Sequence, residues 1–149
     1  MNVFIKLYHK ELLLLMITAK NYHIFISHAW DYKEDYYTIE AWLDENNIEY
    51  SNYSVPNHDP LDVDTNKALK EELSKRIRLS SGIVIIAGMY TNYSEWIDYE
   101  LEEARRMAKP IIGIRPWGQE RIPVKIQEYA TTIVGWNSIS LINAIKNYC

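Results

Sequence analysis

The chain has 149 residues, 48% hydrophobic and 24% charged, which is the size and balance of one globular domain and excludes two full domains, a collagen and a disordered tract. Sixteen Lys and Arg against 20 Asp and Glu leave a net charge of −4 with no basic run, which argues against broad nucleic-acid binding. A single cysteine, Cys149, excludes an internal disulfide and suits a reducing, cytoplasmic setting, while 12 Tyr and 5 Trp beside 2 Phe favour half-wet surfaces such as a ligand pocket or an interface.

Residues 1–20 read as an N-terminal extension. Lys6, Lys10 and the run Leu12 to Ile17 resemble a signal peptide only superficially, because Glu11 abuts a short apolar run and a strand follows at Tyr22 without a spacer. The run is too short to span a membrane. It is expected to be an amphipathic extension or an over-long start, with Met16 equally able to open the domain.

The domain is expected over 21–149. Tyr22 to Ser27 reads as a strand that leads into a polar turn, His28 to Glu34. Asp35 to Asn46 carries Tyr36, Ile39, Trp42 and Leu43 at helical spacing, and a weak strand follows at Ile48 to Tyr53. Ser54 to Asp64 is a loop on its prolines and aspartates. Thr65 to Leu79 puts Leu69, Leu73 and Ile77 on one stripe, a helix expected to be capped by Asp64. Gly82 to Ala87 is the continuous apolar run of a strand buried on both faces. A loop at Gly88 to Tyr93 precedes a helix to about Lys109, for which Asn92 and Glu95 have capping-box spacing. Pro110 to Ile114 is the next buried strand; Pro123 to Ala130 reads as a short helix, Thr131 to Trp136 as a fifth strand, and Ser138 to Tyr148 as a closing helix. This alternation predicts an α/β fold, a parallel sheet with helices on both faces.

An open parallel sheet binds ligands at the carboxyl ends of its strands, and in the order 2-1-3-4-5 the crevice lies between strands 1 and 3. Ser27, His28, Ala29, Trp30 and Asp31 follow the first strand; Gly88, Met89, Tyr90, Thr91 and Asn92 follow the third. Trp96 and Glu100 stand i to i+4 on the next helix and share a face. Hydroxyls, aromatics and a carboxylate together are the lining of a small-molecule pocket.

Other chemistries drop out. A receiver domain needs an acceptor aspartate where this chain has Ala87-Gly88-Met89, and a phosphate or dinucleotide loop needs glycines that SHAWDYKED lacks. His9, His23, His28 and His58 show no ligand spacing, so no metal is expected. Ser27 and His28 are adjacent on a strand and point to opposite faces, without a G-x-S-x-G elbow, so a hydrolase triad is not expected.

Tyr22-His23-Ile24-Phe25-Ile26-Ser27-His28 resembles the opening strand of Toll/interleukin-1 receptor (TIR) domains. Ser94-Glu95-Trp96-Ile97-Asp98-Tyr99-Glu100 resembles the W-x-x-x-E signature of the TIR enzymes that cleave NAD. Pro110 to Ile114 and Ile133-Val134-Gly135-Trp136-Asn137 resemble the prokaryotic TIR-like branch that includes the signal-producing TIR protein of the Thoeris anti-phage system. The resemblance spans about Asn21 to Tyr148. The loop with Arg-Asp and Pro-Gly found in animal TIR domains is absent, and Ser54 to Pro60 stands in its place, so contacts through that loop do not transfer.

The resemblance implies a flavodoxin-like three-layer sandwich with a five-stranded sheet. It implies an enzyme that consumes NAD as substrate, without a cofactor, splits the nicotinamide–ribose bond, and releases ADP-ribose or a cyclic or conjugated derivative as a defence signal. Glu100 matches the catalytic glutamate; Ser27, His28, Trp30, Asp31, Tyr90 and Trp96 are the expected substrate-binding residues. Implied partners are further copies of the chain and a separate effector that senses the product, with neither nucleic acid nor membrane. Left on its own, the run Glu100-Leu101-Glu102-Glu103 reads as a solvated helix face. Two alternatives remain open: a TIR interaction module without activity, and a nucleoside deoxyribosyltransferase-like enzyme.

Overall fold

The computed structural model describes residues 2–18, 21–29, 33–55, 63–118 and 121–149. Helix α1 (Val3–Thr18) precedes β1 (His23–Ala29), α2 (Lys33–Glu45), β2 (Glu49–Val55), α3 (Val63–Leu79), β3 (Gly82–Ile86), α4 (Tyr90–Arg106), β4 (Ile111–Ile114), α5 (Val124–Tyr129), β5 (Thr132–Val134) and α6 (Ser138–Tyr148). The sheet is parallel throughout, as the alternation of elements predicts, in the order β2-β1-β3-β4-β5, the flavodoxin-like arrangement that the resemblance implies. The register pairs Phe25 with Ile83, Val84 with Ile112 and Ile114 with Val134.

Right-handed crossovers sort the helices into two layers. Helix α2 packs against α6 on one face, and α3, α4 and α5 pack in sequence on the other. Between them, Ile24, Phe25, Ile26, Ile83 to Ile86, Ile111, Ile112 and Ile114 are buried, each fully buried aliphatic side chain contributing roughly 1.5–3 kcal/mol against exposure. Strands β3 and β4 are apolar at every position because both faces are covered. Gly113 has a packing reason: a Cβ there would stand 3.2 Å from both Ile126 and Ile133, so its absence lets α5 settle directly on the sheet. Asn137 caps α6, its Oδ1 accepting from the Ser140 amide at 2.8 Å.

Three helix starts differ from the sequence reading, and α2 begins at Lys33, two residues before the expected Asp35. Strand β3 runs through a 3₁₀ turn, Ala87–Met89, straight into α4 at Tyr90, so no loop separates them and Asn92 sits inside the first turn instead of capping it. A 3₁₀ turn offers its own carbonyls to the first amides of the helix, which removes the need for a separate cap. Likewise α3 begins at Val63, and Asp64 lies within it. Strands β1 and β2 run on to Ala29 and Val55, two residues beyond the expected ends, because the ladder between them continues through His28 with Ser54 and Ala29 with Val55. The rest of the expected Ser54 to Asp64 loop, 56–62, lies outside the described residues.

Helix α1 leaves Val3, Phe4, Ile5, Leu7, Tyr8 and Leu12 to Leu14 exposed. Among the described residues no helix is long and apolar enough to cross a membrane.

Candidate active site

Strand β1 presents Ser27 on the same face as Phe25, two residues earlier, and Ser27 is buried beside the apolar Ile24, Phe25 and Ile26. Helix α4 turns the stripe Ile97, Glu100, Leu101 and Ala104 toward the sheet, and all four are buried. Glu100 therefore occupies a core position of an amphipathic helix, at 0% exposure.

Its neighbours in the acidic run are occupied otherwise. Glu102 is exposed and accepts from the Tyr129 hydroxyl at 2.6 Å, with Lys125 at 3.2 Å; these contacts hold its carboxyl below the ordinary range. Glu103 receives two 2.8 Å bonds from the Arg106 guanidinium and one of 2.7 Å from Ser74, and the Arg106 bonds above all pull it down to about 2. These pairs tie α4 to α5 and α3. Glu100 takes no part in them.

Burial pushes the Glu100 carboxyl up to about 7, and the Ser27 hydroxyl beside it is the group that pulls it back. Among the described residues, neither Glu100 oxygen nor Ser27 Oγ closes a hydrogen bond of good geometry. Leaving such a group unpartnered in the interior costs about 1–3 kcal/mol, and native interiors rarely leave one so without a purpose. A carboxyl held near neutrality in a low-dielectric setting offers two acceptor oxygens to hydroxyls and, once ionised, a fixed negative charge that is poorly screened.

Trp96, one turn before Glu100 on α4, is half-buried and packs against the core. His28 lies in β1 opposite Ser54 of β2, and Tyr90 opens α4, so the backbone brings both to the carboxyl edge of the sheet. Trp30 and Asp31 lie outside the described residues. Among the described residues no cluster of His, Cys, Asp and Glu suits a metal ion.

The sequence reading considered only the ends of strands 1 and 3. A pocket of 360 Å³ at the ends of β4 and β5, with Arg115, Trp117 and Trp136 in its walls, was missed. It lies two and three strands from β1, and its signal in the sequence is Arg115-Pro116-Trp117 after one strand and Trp136 after the next. A larger groove of 620 Å³ between α3 and α4 surrounds Ser74 and Tyr99, whose hydroxyls bond each other at 2.6 Å; neither Ser27 nor Glu100 lines it.

A family model described as "Thoeris protein ThsB, TIR-like domain" matches residues 25–121. No curated protein matches the chain. Among solved structures, a 3-dehydroquinate dehydratase-like protein from Bifidobacterium longum is 11% identical with a TM-score of 0.52, covering 85% of this chain and 94% of that one. The CMP N-glycosidase BcmB of Clostridium botulinum is 12% identical with a TM-score of 0.51, covering 83% of this chain and 98% of that one. At these identities the likeness is one of fold.

Proposed function

Since the chain belongs to the family of the TIR-like domain of the Thoeris protein ThsB, we propose that it is a defence enzyme that cleaves the bond between nicotinamide and ribose in NAD. The observation that carries this reading is Glu100, fully buried on a helix facing Ser27 and without a partner of its own among the described residues.

The chemistry asks for little else. When the bond between ribose C1 and the nicotinamide nitrogen breaks, its electron pair goes to the pyridinium and neutral nicotinamide leaves without a general acid. Positive charge develops on the ribose. An ionised Glu100 in a dry setting stabilises that charge and accepts from the ribose hydroxyls, as carboxylates do in glycoside cleavage. Ser27 is a positioning residue, its hydroxyl donating to the carboxylate or to the sugar. Trp96 supports the helix turn beneath; His28, Trp30, Asp31 and Tyr90 are the proposed contacts at the crevice mouth. Water attacking C1 yields ADP-ribose and a proton, the adenine or a phosphate oxygen of the same molecule yields a cyclic product, and another small nucleophile yields a conjugate. The released nucleotide acts on a separate effector, and further copies of the chain complete the active form.

An interaction module without activity has no use for a buried glutamate left without a hydrogen-bond partner among the described residues, which is why the enzyme reading is preferred. The test is to incubate purified protein with NAD, alone and with lysate from phage-infected cells, and to resolve nicotinamide and ADP-ribose species by chromatography and mass spectrometry. Nicotinamide release that disappears in Glu100→Gln is expected. No turnover by folded protein in either condition overturns the proposal.

A further inference from the structure

We propose that the pocket at the ends of β4 and β5 binds the adenylate half of the dinucleotide, an aromatic base carrying a phosphate, distal to the bond that Glu100 helps to break. The proposal rests on the NAD reading above for its substrate, but its binding test does not depend on turnover.

Trp117 carries the argument. It is 85% exposed, on a turn that reverses at Gly118 with φ +76°, immediately after β4. Holding a large aromatic in water at the ligand edge of a parallel sheet serves nothing in the core, and an exposed indole is the platform on which nucleobases stack. The opposite wall is Trp136, half-buried after β5 and set against Trp42 of α2 with ring centroids 5.2 Å apart. That contact fixes Trp136 as a rigid wall. The turn is anchored as well, the Arg115 amide donating to the Val134 carbonyl at 3.0 Å.

The polar complement is cationic. Arg115 is exposed in the pocket wall and is the charged group among the described residues of that wall, placed for a phosphate oxygen as guanidinium groups commonly are. Asn137 also lines the pocket, but its Oδ1 is engaged by the Ser140 amide. A volume of 360 Å³ falls within the range of about 300–1,000 Å³ for small-ligand pockets. The position is suitable too. Strands β4 and β5 lie two and three places from β1 in the sheet, so at about 4.8 Å per strand the pocket is roughly 10–15 Å from Ser27. That is the reach of an extended dinucleotide from its reacting ribose to its other base.

The experiment titrates AMP into the wild type, Trp117→Ala, Trp117→Phe and Arg115→Gln by calorimetry, then compares KM for NAD with KM for nicotinamide mononucleotide, which lacks the adenylate half. Trp117 is exposed, so its replacement leaves the fold intact. The expected result is AMP binding weakened at least about fivefold in Trp117→Ala, the loss typical of one base stack, and retained in Trp117→Phe. Arg115→Gln weakens AMP more than adenosine. In the same variants KM rises for NAD and not for the mononucleotide. Wild type that does not bind AMP, or AMP binding unchanged in Trp117→Ala, overturns the proposal even if NAD is cleaved. Trp117-dependent AMP binding by a protein that does not cleave NAD upholds the pocket and sinks the activity.

Discussion

Replacing Glu100 by Gln should make the folded protein more stable above neutral pH while abolishing its proposed chemistry. The side chain keeps its shape and loses its charge. Burial lifts the carboxyl from 4.5 to about 7, so between those pH values the folded chain holds a proton that the unfolded chain has released. Raising the pH through that window therefore favours the unfolded state. Below about 4.5 both states are protonated and the group costs nothing; above about 7 the full cost is present. That shift corresponds to roughly 3 kcal/mol, a large share of the about 5–15 kcal/mol by which domains are stable. Urea denaturation of both proteins from about pH 4.5 to about pH 8 isolates the effect, because the cost of burying a glutamine amide does not change with pH. The stability difference between variant and wild type should grow in favour of the variant as the pH rises, by up to roughly 3 kcal/mol. A difference that stays flat across the range refutes the assignment of Glu100 as a desolvated, unpartnered carboxyl.

Three further outcomes are expected. Nicotinamide release should fall at least about a hundredfold in Glu100→Gln, the loss seen when one electrostatic stabiliser of a transition state is removed; a smaller loss in a folded variant removes Glu100 from the chemistry. Ser27→Ala withdraws the hydroxyl that lowers the Glu100 carboxyl, so the acid limb of kcat/KM against pH should move upward, and an unmoved limb separates Ser27 from Glu100. Gly113→Ala should destabilise the domain by about 1–3 kcal/mol through overpacking, because the new methyl meets Ile126 and Ile133 at 3.2 Å; thermal or urea unfolding measures it.

Much of the fold was legible because its signals are local. Gly82–Ile86 and Ile111–Ile114 stand out as apolar runs with turn residues around them, and α6 occupies the expected Ser138–Tyr148 behind its asparagine cap. Helix starts were less legible. Asn92 and Glu95 have the spacing of a capping box whether or not the helix starts there, and the choice of Tyr90 belongs to the 3₁₀ turn that continues β3.

The chemistry divides in the same way. Sequence alone determined that a Trp and a Glu share one helix face at the carboxyl end of a parallel sheet, since spacing along a helix is a property of the chain. Which glutamate of Glu100-Leu101-Glu102-Glu103 goes inward was decided by packing. Ile97, Leu101 and Ala104 set the rotation of α4 and carry Glu100 into the core, while Lys125 and Tyr129 hold Glu102 at the surface and Ser74 and Arg106 hold Glu103 half-buried against α3. The second pocket is a tertiary object for the same reason: Trp117 and Trp136 are far apart in the chain and meet because Ile114 pairs with Val134. Periodicity is set by backbone geometry that each segment carries within itself, whereas burial, a shifted carboxyl and a shared cavity exist only where separate segments exclude water together.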